Sequence, residues 1–91
     1  MKMKYVIMDY LGLDTPFLFP EWVDHSLVCC NRDLAISAGF CSIDGTGKRI
    51  DVGYCIKNDF EVFCHGKSVT LGKESRGEED AKLIRKMLLE S

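Results

Sequence analysis

Two histidines and five cysteines are the side chains with the most chemical reach in this chain. His25 and Cys29 stand four residues apart and Cys64 adjoins His65, so His25, Cys29 and Cys64 form the candidate metal set, imidazole and thiolate being the usual zinc ligands. The spacing works against that set. A short helix near residues 24–32, capped by Asp24 or Ser26, would put His25 and Cys29 on one face. Cys64 and His65, neighbours on a strand, point to opposite sides and do not converge on one ion. No C-x-x-C pair exists to anchor a zinc knuckle. No metal site is favoured, and no cofactor is expected.

A cysteine nucleophile working with His25 or His65 needs an electropositive, partly exposed thiol. Cys41 and Cys55 fall within apolar alternation and read as buried, while Cys29 and Cys30 precede Arg32. An odd number of cysteines, with no secretory leader expected at the short apolar start Tyr5–Met8, reads as reduced core residues rather than a disulfide framework. Gly66-Lys67-Ser68 carries the closing letters of a nucleotide-binding loop. The required glycine five positions earlier is Glu61, and the residues that follow, Val69-Thr70-Leu71, are β-prone where a helix N-terminus is needed. Gly45-Thr46-Gly47-Lys48 fails in the same way. The carboxylates Glu78, Glu79 and Asp80 read as a solvated first helical turn that complements the helix dipole, not as an acid–base pair. No catalytic residue is assigned, and the chain is expected not to be an enzyme.

What remains is binding. Phe17, Phe19 and Trp22 cluster around two prolines. Core packing is the first reading, and a partner-binding anchor is the alternative, because Trp is enriched at interface hot spots. Lys48 and Arg49 read as an exposed hairpin tip able to meet an acidic partner. These five residues are the candidate partner-binding set.

The elements that must position them follow from local pattern. Residues 1–91 are expected to make one domain with a small core. Lys2–Tyr10 reads as a buried strand, Gly12 as a turn, and Thr15–Phe19 as an edge strand, since Pro16 cannot donate to a ladder. Ala35–Ile43 is the next strand, with small residues on both faces and a bulge at Gly39. Asp44–Lys48 then reads as a hairpin turn, Arg49–Ile56 as the return strand, Lys57–Asp59 as a second turn, and Phe60–His65 and Ser68–Leu71 as further strands. Ser75 and Glu78 have capping-box spacing, and Ala81, Ile84 and Leu88 form the apolar stripe of a last helix. The expected fold is α+β: an antiparallel β-meander with a C-terminal α-helix packed on one face.

Fourteen acids against twelve bases give a net charge of −2, which disfavours a nucleic-acid footprint, and no apolar run reaches the roughly 20 residues of a membrane span. The pattern Ser37-Ala38-Gly39-Phe40, then Gly66-Lys67-Ser68-Val69-Thr70-Leu71-Gly72, then Ser75-Arg76, Glu79-Asp80 and Leu83-Ile84, with Phe19–Ser26 "FPEWVDHS", resembles short phage- and prophage-encoded proteins. That resemblance spans nearly the whole chain and carries no catalytic residues. It implies a small cytoplasmic accessory protein in a bacterial host, one that binds a host-encoded protein and modulates host machinery such as a CRISPR-type defence system. A homodimer formed by pairing of exposed strand edges is expected as well. The competing readings are a small structural zinc module and a nucleic-acid-associated regulator.

Overall fold

The run Lys2–Tyr10 is rich in β-prone residues and has apolar side chains on both sides at Tyr5, Val6 and Ile7, the composition of a strand covered on both faces. The computed structural model, which describes residues 1–90, makes it the interior strand β1 (Lys2–Tyr10). β1 pairs on one side with β2 (Leu13–Phe19) and on the other with the long strand β3 (Ala35–Asp51), which pairs with β4 (Ile56–His65). The order is β2-β1-β3-β4, antiparallel throughout. Pro16 sits on the edge strand β2, opposite Ile7, as its missing donor requires.

Between β2 and β3 the chain crosses one face of the sheet through α1 (His25–Val28) and a 3-10 turn at Arg32–Leu34. Asp24 caps α1 by accepting from Ser26 N–H at 2.8 Å. After β4 come two short paired strands, β5 (Lys67–Ser68) and β6 (Lys73–Glu74), and then α2 (Glu78–Glu90). α2 lays Ala81 and Ile84, with Leu83 and Leu88 beside them, on the sheet face that carries Tyr5, Ile7, Cys41, Ile43 and Cys64. The opposite face holds a second cluster of Val6, Phe19, Cys29, Ala35, Ala38 and Leu71. The α+β fold with a sheet-covering C-terminal helix is the one the sequence implies.

Four local expectations are corrected. Asp44–Lys48 is not a hairpin turn: β3 runs straight through it, and pairing passes from Gly45↔Phe60 to Arg49↔Asn58, so the stretch is a bulge of two extra residues. The turn lies at Val52–Cys55, where Val52 N–H donates to Cys55 O at 3.1 Å, and Lys57–Asp59 belongs to β4. Val69–Leu71 is turn rather than strand. Gly39 marks no bulge either; the β1–β3 register shifts between Ile7 and Met8. Its reason is closeness: a Cβ there would stand 2.5 Å from His65 O and 3.3 Å from Ser75 Cβ.

Candidate interaction surfaces

One buried titratable constellation centres on Asp80. This carboxylate is fully enclosed and accepts four hydrogen bonds. Tyr5 O–H donates to Oδ2 at 2.6 Å and Arg76 N–H to the same oxygen at 2.9 Å; Ser37 O–H donates to Oδ1 at 2.9 Å and Arg76 Nε–H at 2.8 Å. The Tyr5 oxygen also lies 2.7 Å from Ser75 Oγ, which accepts from Gly77 N–H at 2.9 Å. Burial raises the Asp80 pKa, but the bonds from Tyr5, Arg76 N–H, Ser37 and the Arg76 side chain outweigh it and hold it below the ordinary carboxylate range. Burial, then the bond to Asp80, holds the Tyr5 phenol protonated far above its usual range. With all lone-pair sites occupied and no access to solvent, the group ties β1, β3 and α2 together and is not placed to exchange protons with a substrate.

The solvated-turn reading therefore holds for the exposed Glu78 and Glu79 but fails for Asp80. The cap is shifted from the one expected. Ala81 N–H donates to Gly77 O, and the acid three residues on, Asp80, reaches back to Arg76 N–H.

The cysteines and histidines do not assemble. His25 is buried, with Nε2 3.0 Å from Gly39 O and its ring edge-on to Phe19 and Phe40. Cys29 S–H donates to Asn31 O at 3.1 Å in the same cluster, whereas Cys64 lies on the other sheet face, opposite Cys41. Among the described residues no three of His, Cys, Asp and Glu gather as a metal site. Burial pushes the Cys41 thiol up to about 11 and, with the nearby Cys41, that of Cys64 up to about 12, the reverse of an activated nucleophile. Cys55, expected in the core, is exposed near the β3–β4 turn.

The candidate binding set divides. Phe19 is core and Phe17 half-buried against it, so Phe19 offers nothing to a partner. Trp22, for which core packing was the first reading, is 85% exposed. The turn closed by Val23 N–H to Pro20 O, 3.1 Å, swings Val23 inward and Trp22 outward, beside Met1, Lys2, Met3 and Pro20. Lys48 and Arg49 are exposed on the β3 bulge, and Arg49 borders a separate depression with Ile56, Phe60 and Leu88.

A second apolar surface had no anticipating signal. At the β1–β2 tip Tyr10 and Leu13 are direct cross-strand partners, both exposed, and Leu11 between them is 88% exposed. Leu11 has φ 54° and Gly12 φ 83°, a left-handed pair that glycine adopts freely and leucine does not. Asp9, whose Oδ1 accepts from Gly12 N–H, stands directly opposite Asp14, and Asp14 lies 3.5 Å from Arg76 Nη1. The tip is an apolar knob with acidic flanks.

Set against known protein families, curated proteins and solved structures, the chain matches none. No helix among the described residues is long and apolar enough to cross a membrane.

Proposed function

We propose that this chain is a non-catalytic protein-binding module of the phage or prophage accessory kind, acting in the cytoplasm of a bacterial host by covering a surface of a host-encoded protein, with a defence system of the CRISPR type as the target class. One observation carries the reading: a cluster of large apolar side chains is left outside the core. The one tryptophan and the Tyr10-Leu11-Leu13 knob stand in solvent, while cysteines and alanines take places in the core beside Tyr5, Val6, Ile7, Phe19, Ile43, Leu71 and Ile84. Isolated exposed leucines mean little, but clustered ones mark interaction sites. A leucine held at positive φ is a local cost of about 1 kcal/mol that tertiary packing here does not repay, which supports a role outside the free molecule. The knob, projecting and flanked by Asp9 and Asp14, suits a partner cleft with an apolar floor and a basic rim.

The test is affinity capture from a bacterial lysate with wild-type protein and with Leu11→Ser/Leu13→Ser. The reading expects a stoichiometric host protein retained by the wild type and lost in the variant. Equal recovery by both would remove the knob from the account. A zinc module is the weaker reading, since the sheet holds Cys64 apart from His25 and Cys29.

A further inference from the structure

We infer that Cys41 and Cys64 are a redox-reversible disulfide site that staples the edge strand β4 to β3. The two residues are direct partners in the β3–β4 ladder. Both belong to the cluster beneath α2 with Tyr5, Ile7 and Ile84, whereas Cys29 belongs to the opposite face. The kind of pairing decides whether they can bridge. Ile43, two residues along β3, exchanges both its backbone bonds with Met1: Ile43 N–H donates to Met1 O at 2.8 Å, and the Met1 ammonium donates to Ile43 O at 3.0 Å. Those groups turn toward β1, and by the alternation of a strand those of Cys41 do too. On β4, Phe60 N–H donates to Asp59 Oδ1 and Phe60 O accepts from Arg85 Nε–H, so both turn away from β3. Cys64, four residues on, has the same orientation. Cys41 and Cys64 are therefore a non-hydrogen-bonded pair, the closely spaced kind, with Cα atoms about 4.5 Å apart. A disulfide spans Cα separations of about 4.4–6.8 Å and is commonest at about 5.5–6 Å. The bridge is within reach without moving either strand, but at the short end of its range. A bridge strained in this way is more easily reduced than a relaxed structural one, and in a reducing compartment such bridges are transient and redox-sensing.

Access decides when the bridge forms. Cys41 is fully buried, Cys64 keeps 5% exposure, and burial holds both thiols protonated in the closed fold. The thiolate is the attacking species, so exchange waits until the β4 edge unfolds from β3, its one neighbour in the sheet. The co-reactant is a small disulfide of the glutathione class. Cys64 loses its proton to water, its thiolate attacks one sulfur of that disulfide, and one glutathione thiolate leaves. As β4 pairs again, Cys41 loses its proton and attacks Cys64 Sγ of the mixed disulfide. The Cys41–Cys64 bond forms and the second glutathione thiolate leaves. Two S–H bonds are lost, one S–S bond is made, and one glutathione disulfide is reduced to two thiols. The loop closed in this way contains the β3 bulge with Lys48 and Arg49 and the turn at Val52–Cys55, so oxidation ties down the whole β3–β4 arm.

Equilibration of the full chain with mixtures of oxidised and reduced glutathione tests the proposal, followed by acid quench and non-reducing peptide mapping by mass spectrometry. The wild type should give a Cys41–Cys64 linked peptide and an intact mass lower by about 2 Da, and should do so faster in sub-denaturing urea. About a hundredfold excess of reduced glutathione should restore both thiols. Hydrogen exchange at residues 56–65 should slow about tenfold or more in the oxidised form. Cys64→Ala should abolish the linked peptide. Cys30→Ala/Cys55→Ala, at exposed sites, should leave it unchanged, and this variant carries the assignment even if Cys64→Ala fails to fold. Thiols that stay free in oxidised glutathione alone, products that stop at glutathione adducts, a linkage through any other cysteine pair, or a bridge that survives the excess of reduced glutathione would each overturn the proposal. Neither cysteine lies at the Tyr10–Leu13 knob, so failure here is separable from failure of the host-binding reading.

Discussion

Replacing Asp80 should be the most damaging single change on α2. In Asp80→Ala the Tyr5 and Ser37 hydroxyls, Arg76 N–H and the Arg76 guanidinium lose their common acceptor inside the fold. Removing one partner of a buried pair typically costs about 3–5 kcal/mol, because the remaining charge and donors stay buried without compensation. Arg76 retains the more distant Asp14 and Glu79 at 3.5 Å, so the expected loss is near the middle, about 4 kcal/mol. For a domain of this size that is a fall in Tm of about 15–30 °C, a large share of a total stability of about 5–15 kcal/mol. Asp80→Asn keeps the shape and should lose about half as much. The pH dependence has a definite sign. The folded-state pKa of Asp80 is depressed, so its contribution is fully present above the ordinary carboxylate value of about 3.9 and is lost as pH falls through the lower folded value. The gap between wild type and Asp80→Asn should therefore close below about pH 4. Urea unfolding followed by far-UV circular dichroism at pH 7 and pH 3 measures both effects. A variant within about 1 kcal/mol of wild type at pH 7, or a gap that widens in acid, would refute the assignment of Asp80 as the charged centre of the network.

Other parts of the fold give equally direct outcomes. Gly39→Ala should destabilise by about 3 kcal/mol, because its Cβ meets the backbone at His65 O rather than a movable side chain, and a thermal melt reads it. Iodoacetamide with mass detection should label Cys30 and Cys55 in the native protein, with Cys29, Cys41 and Cys64 reacting only on unfolding. Arg85→Ala removes the 2.6 Å ion pair to Asp59 and uncovers Phe60 O on the β4 edge. Stability should change by under about 1 kcal/mol, while concentration-dependent aggregation, followed by light scattering, should rise.

The features legible in the sequence are those fixed by neighbours in the chain. The stripe Ala81, Ile84 and Leu88, the Asp24 cap and the edge position of Pro16 each depend on local spacing or on one missing donor, and each is found where the pattern places it. The misread turn has a local cause as well. An Asp-Gly hairpin turn needs positive φ at both residues, but Asp44 and Gly45 stay extended, and the chain reverses instead at Val52–Cys55 around Gly53, φ 95°. Asp80 was illegible for a different reason. Its partners Tyr5 and Ser37 are 75 and 43 residues away, and an acid in a first helical turn already has a sufficient local explanation. Trp22 was misplaced because a small core was expected to claim the largest side chain, whereas the Pro20–Val23 turn gives that place to Val23. The knob at Tyr10–Leu13 left no trace in periodicity, since its exposure follows from where the hairpin ends.

The most direct test of the account is photo-crosslinking in a bacterial host, with benzoylphenylalanine placed at Leu11 in one variant and at Trp22 in another. The account predicts a discrete adduct with a bound host protein from these exposed positions. Absence of any discrete adduct from both positions, with the protein folded and expressed, would contradict the view that these exposed apolar side chains exist to bind.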